Sequence, residues 1–128
     1  MIKENEVSGA VVDAAVRVHQ ELGPGLLESV YEEILAFELT ERGFKVVRQM
    51  PVPVVYRSLR FEIGFRADLL VESLVVVELK SVAEISPAHR KQIQTYVRLM
   101  NLRVGLLLNF GAALMKDGIV RVVNKLPE

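Results

Sequence analysis

The segment Leu74-Val-Val-Val-Glu-Leu-Lys80 limits what this chain can fold into more than any other. An apolar run rich in β-branched residues reads as a strand covered on both faces, and such a strand belongs in the middle of a sheet. Side chains two apart on a strand share a face, so Glu78 and Lys80 point together while Leu79 packs opposite. Two charges at the end of such a run are costly to bury unless they are paired or used.

The flanking sequence supplies the rest of a sheet and its helices. Residues 6–22 carry an apolar stripe at helical spacing (Val7, Val11, Ala14, Ala15, Val18, Leu22), which Gly23-Pro24-Gly25 stops. A second helix is expected over 27–42, with Tyr31, Ile34, Leu35 and Leu39 inward and Gly43 as its cap. Residues 45–56 are strand-like, with Pro51 and Pro53 restricting part of them to a sheet edge. Residues 60–71 alternate, with Phe61, Ile63, Phe65, Ala67, Leu69 and Val71 on one face and Asp68 among the polar residues of the other. A hairpin through Glu72-Ser73 would pair residues summing to about 145, setting Asp68 against Val77 with Glu78 next to it. Ser86-Pro87 opens a third helix reaching about Asn101, with Ser86 as N-cap. Residues 104–110 form another buried strand, and 119–123 a last one after the Lys116-Asp117-Gly118 turn. The order α-α-β-β-β-α-β-β predicts one α/β domain over residues 1–128, a mixed sheet flanked by helices.

Charge and composition remove several function classes. Lys plus Arg equals Asp plus Glu at 16 each, which argues against coating nucleic acid by bulk charge but leaves room for a local basic rim. With no cysteine, disulfides, thiolate metal sites and cysteine nucleophiles are excluded. The first residues, Met-Ile-Lys-Glu-Asn-Glu, are too polar for a signal peptide, and the longest apolar runs are far short of a membrane span. A cytoplasmic location with no membrane contact is the expectation.

The candidate chemistry gathers around Asp68, Glu78 and Lys80. Carboxylates on adjacent strands suit Mg²⁺ (or Mn²⁺), a hard cation that prefers oxygen ligands. A lysine beside them can hold a hydroxide or stabilise charge developing on a phosphate. The plain alternative is a strand-end ion pair of Glu78 and Lys80, with Asp68 a turn residue. Gln92 and Tyr96, four apart, share one helix face; the plain alternative is a core tyrosine and a solvent-facing glutamine. Glu28 stands in a first helical turn, where the dipole alone favours it. His19 and His89 have no second close His or Cys and are not read as transition-metal ligands; His89 lies one turn before Gln92, within reach of a substrate.

Taken together, these residues resemble a known family. Gly25-x-x-Glu28-x-x-Tyr31, followed by Phe65-Arg-Ala-Asp-Leu-Leu-Val71, Val77-Glu-Leu-Lys80, Gln92-Ile-Gln-Thr-Tyr96 and Val104-Gly-Leu-Leu-Leu-Asn-Phe-Gly111, is similar in order to the blocks of the GxxExxY proteins, a prokaryotic group within the PD-(D/E)XK nuclease superfamily. The resemblance covers residues 6–124 and implies a restriction-endonuclease-like core. It would make Asp68 and Glu78 the metal-binding carboxylates and Lys80 the superfamily's lysine. The Leu79 carbonyl would be a further oxygen ligand and Glu28 an acidic residue supplied by a helix. Gln92 and Tyr96 would match a pair found in branches acting on DNA ends. Ala67 stands where the superfamily's name has proline.

Two functions follow from that resemblance. One is a Mg²⁺- or Mn²⁺-dependent nuclease that hydrolyses phosphodiester bonds in DNA, with Asp68, Glu78, Lys80, Gln92 and Tyr96 as its catalytic set. The other is a non-catalytic domain of the same fold that binds nucleic acid or a protein partner. An intact Asp68-Glu78-Lys80 set favours the first; neutral charge and the lack of a separate DNA-reading module favour the second. A core this small is expected to need a homodimer to hold a duplex.

Overall fold

The computed structural model describes residues 3–125; Met1, Ile2 and residues 126–128, which the sequence reading counts within the domain, lie outside the described residues. Helix α1 spans Glu4–Leu22 and α2 spans Glu28–Glu41. Strands β1 (Val46–Tyr56), β2 (Leu59–Val71) and β3 (Val75–Lys80) follow, then α3 (Pro87–Leu99), β4 (Val104–Asn109), a 3₁₀ turn (Met115–Gly118) and β5 (Ile119–Val123). The strands lie side by side in chain order, with β3 in the centre and β1 at an edge. All neighbours are antiparallel except β3 and β4, whose parallel pairing needs the long crossover that α3 provides.

Two apolar cores enclose the sheet. Val7, Val11, Ala14, Leu35 and Leu39 of α1 and α2 pack on Val75, Val77, Leu79, Leu106 and Leu108. On the opposite face, Ile93 and Val97 of α3 pack on Val76, Leu107 and Ala67. Gly105 makes that second layer close: a Cβ there would meet Val97 Cγ2 at 2.3 Å.

The loop between α1 and α2 is fixed by Tyr31. Its hydroxyl donates to the Gly23 carbonyl and accepts from the Leu26 amide, and its ring stacks on Phe110 with centroids 4.4 Å apart. Gly23 and Gly25 have φ of 74° and 107°, which side-chain-bearing residues rarely adopt. At the start of α3, the Ser86 hydroxyl accepts from the His89 amide while His89 Nδ1 accepts from the Ser86 amide. His89 is therefore a capping residue, and this occupies the ring nitrogen nearest its helix.

Two expectations about β2 need correction. The β2–β3 pairs are Leu69↔Val77, Leu70↔Val76 and Val71↔Val75, each summing to 146. The connection has three residues, Glu72-Ser73-Leu74, with Glu72 and Ser73 both at φ 54°. A third loop residue moves the register by one, so Asp68 lies across from Glu78 itself. The alternation of residues 60–71 also does not run through unbroken. Leu69 and Val71 join the α1–α2 core, whereas Ala67 joins the α3 core and Phe65 stacks on Tyr96 of α3. The switch falls at Asp68. In β1 it falls between Arg48, which reaches Glu32 of α2, and Met50, which packs in the α3 core; Gln49 between them has φ 51°. A left-handed residue inside a strand turns the following side chains over.

Candidate metal centre

The β2–β3 ladder stops at Leu69↔Val77, and side chains replace its next rungs. The Asp68 amide donates to Glu78 Oε1 at 3.1 Å, and the Leu79 amide donates to Asp68 Oδ2 at 2.9 Å. Backbone donors at this depth must find acceptors, and carboxylates here serve in place of main-chain carbonyls. This exchange brings two carboxylates together at the end of the central strand. The amide and carbonyl of one strand residue leave on the same edge. The Leu79 carbonyl therefore faces the same gap as its amide, whereas the Lys80 carbonyl turns to β4 and accepts from the Phe110 amide.

A polar chain ties this pair to α2. Gln49 Nε2 donates to Asp68 Oδ1 at 3.2 Å and to Glu32 Oε1 at 2.7 Å. Buried Glu32 is held in turn by Arg48 at 3.1 Å. On the other side, Asn109 braces the segment that follows Lys80. Its amide donates to the Val82 carbonyl and its oxygen accepts from the Val82 and Gly111 amides.

The electrostatics are those of a site short of positive charge. Glu78 is 5% exposed, and its carboxyl is pushed up from 4.5 to about 8, first by burial and then by the neighbouring Asp68 carboxylate. The Lys80 ammonium opposes this without cancelling it. Among the described residues Lys80 forms no ion pair within 4.0 Å, so the strand-end Glu78–Lys80 ion pair is not what the structure contains. Tyr96 belongs to the same field. Its hydroxyl is pushed up by burial and by Glu78 and Asp68, with the Gln92 side chain acting in the opposite direction. Its ring lies flat on Phe65, centroids 3.9 Å apart. Gln92 and Tyr96 are both half-buried, which fits neither half of the plain alternative.

Asp68, Glu78, Lys80, Gln92 and Tyr96 thus share one electrostatic neighbourhood. Glu28 is exposed, and among the described residues no three His, Cys, Asp or Glu side chains gather closely enough to hold a metal. The acidic residue of α2 bonded into the site is Glu32, one turn further on, through Gln49. Neither was singled out by sequence. The only signal for Glu32 was its place four residues after Glu28, on the same helix face. His19 also lies apart, its Nε2 2.8 Å from the Ala112 carbonyl.

Two carboxylates and a main-chain carbonyl facing one gap, with surplus negative charge, form a donor set that fits a hard divalent cation. Among the described residues no helix is long and apolar enough to cross a membrane. A family model described as the PD-(D/E)XK nuclease superfamily matches residues 5–122. No curated protein and no solved structure matches the chain.

Proposed function

The chain belongs to the PD-(D/E)XK nuclease superfamily, and from that premise we propose that it is a Mg²⁺- or Mn²⁺-dependent phosphodiester hydrolase acting on DNA, of the GxxExxY branch. The single observation that carries this reading is the exchange of ladder hydrogen bonds for the Asp68 and Glu78 carboxylates at the end of β3. Asp68, Glu78 and the Leu79 carbonyl would hold the ion. When bound, such an ion polarises a phosphoryl oxygen and lowers the pKa of a bound water.

The chain's own residues do the rest. Asp68 and Glu78 are pre-positioned by main-chain donors, so little reorganisation is needed when substrate arrives. Lys80 shares a strand face with Glu78 and has no competing ion pair among the described residues, so its ammonium is available to an attacking water or to charge developing on the phosphate. Gln92 and Tyr96 close the α3 side, with the Tyr96 hydroxyl kept protonated as a donor. A cytoplasmic location and a homodimer are part of the same reading.

The test is purified protein with Mg²⁺ or Mn²⁺ on labelled DNA and RNA, beside Lys80→Ala. The expected result is metal-dependent cleavage that falls about 10²-fold or more in the variant, with nucleic-acid affinity nearly unchanged. Wild-type protein that binds nucleic acid and cleaves none of it would mark the chain as a non-catalytic member of the fold.

A further inference from the structure

Beyond the core, β1 and β2 continue as a two-stranded arm. From Gln49, opposite the metal centre, to Tyr56 at the tip is roughly 20 Å at strand rise. The arm carries large apolar side chains where a solvated ribbon would be polar. Tyr56 is 60% exposed and Phe61 53%, with Val55, Leu59 and Ile63 similarly open.

These side chains are ordered with respect to the site. Across the ribbon Val52 pairs with Phe65, Val54 with Phe61 and Tyr56 with Leu59, with a shift of register between Val52 and Val54. Phe65 is the ring that stacks on Tyr96 beside Glu78 and Asp68. Aromatic and apolar pairs therefore recur along the ribbon from the metal centre out to the arm tip. Close packing is built into the ribbon, since a Cβ on Gly64 would meet Val54 Cγ2 at 2.1 Å.

Charge distinguishes the arm from the rest of the chain. The whole sequence is neutral, yet residues 46–66 hold four arginines (Arg48, Arg57, Arg60, Arg66) against a single acid, Glu62. Arg48 and Arg60 are paired with Glu32 and Glu62. Arg57 and Arg66 form no ion pair among the described residues, and Arg57 lies 5.2 Å from the centre of the Tyr56 ring. Exposed rings interleaved with free guanidinium groups match a polyanion that also offers flat faces, which is unpaired nucleic acid.

We infer that the β1–β2 arm is a single-strand guide, on which bases stack against Tyr56 and Phe61 while Arg57 and Arg66 meet phosphates, delivering one strand past Phe65 to the Asp68–Glu78 centre. This rests on the nuclease reading for what happens at the centre, but not for binding by the arm. A duplex keeps its bases inside and gains only the arginine contacts, so the arm favours single-stranded substrate or frayed ends.

The experiment is fluorescence anisotropy of full-length protein with labelled single-stranded and duplex DNA, for wild type, Tyr56→Ala, Phe61→Ala and Arg57→Glu. Sedimentation and metal-dependent cleavage are followed in parallel. Both rings are more than half exposed, so the variants should fold, which circular dichroism checks. Each ring removed should weaken single-strand binding about tenfold, with duplex binding changed by less than threefold. Arg57→Glu should weaken both and flatten the salt dependence. If wild type binds single strands through the arm but cleaves nothing, the guide stands and the hydrolase reading fails. If wild type cleaves and the ring variants bind and cleave single strands as it does, the guide is overturned and the hydrolase reading stands. A wild-type dimer that the ring variants dissociate, with strand binding intact, would overturn it as well, making the arm a self-association surface.

Discussion

The two faces of β3 have opposite fates. Toward α1 and α2, Val75, Val77 and Leu79 are sealed in the larger core. Toward α3, Val76 is sealed, but Glu78 and Lys80 after it meet a gap where the β2 ladder has ended. One six-residue strand therefore divides its work by parity: one set of side chains holds the sheet to its helices, and the other builds a charged site on that support. Glu78 can be buried against another carboxylate because its neighbours one residue away on either side are locked in apolar packing.

The largest effect should come from breaking the closed face. Leu79 is 1% exposed, and Leu79→Ala should cost about 2–5 kcal/mol of stability in denaturant unfolding. A loss below ~1 kcal/mol would mean that this face does not carry the fold. On the open face, Lys80→Ala should leave stability within about 0.5 kcal/mol, because no ion pair is lost, while raising the cleavage barrier by roughly 2.7 kcal/mol. A large drop in melting temperature would place Lys80 with the structural set instead.

Glu78 sharpens the contrast through pH. Its folded carboxyl holds a proton up to about pH 8, whereas the unfolded one releases it near 4.5. The folded state therefore binds more protons between those values, and metal-free stability should fall as pH rises through that window. Glu78→Gln should be more stable than wild type at pH 8, by about 1–3 kcal/mol, with the gap closing near pH 5. Equal stability of the two at pH 8 would contradict the burial assigned to this carboxylate. The smallest effect belongs to Gln49→Ala, which frees Asp68 Oδ1 and Glu32 Oε1; it should cost about 0.5–1.5 kcal/mol and weaken metal binding more than it weakens folding.

The closed face was the more legible in sequence, and the reason is physical. The apolar run before Glu78 placed β3 at the sheet centre, Pro51 and Pro53 placed β1 at its edge, and Ser86-Pro87 placed the start of α3, because burial, a missing donor and a cap each leave a residue signature. Asp68, Glu78, Lys80, Gln92 and Tyr96 could be nominated from spacing and family blocks. Their pairing could not, because Glu72, Ser73 and Gln49 adopt left-handed backbone without the Gly or Asn that usually announces it. The one-residue register change and the change of face at Asp68 both follow from those positions. Glu32 was hidden for another reason: a carboxylate in a helix reads as solvated until the strand opposite it is known to supply Arg48 and Gln49.

That Asp68 and Glu78 form a cation site is the central claim, and calorimetric titration of the metal-free protein with Mn²⁺ tests it most directly. The titrations are run at pH 7 in two buffers of different ionisation enthalpy. Since Glu78 is largely protonated at that pH, binding should release close to one proton per ion, and the apparent heat should differ between the buffers accordingly. Asp68→Asn should lose the binding about tenfold or more, a change of at least ~1.4 kcal/mol. Binding of Mn²⁺ by Asp68→Asn as tightly as by wild type, with the same heat in both buffers, would contradict the account.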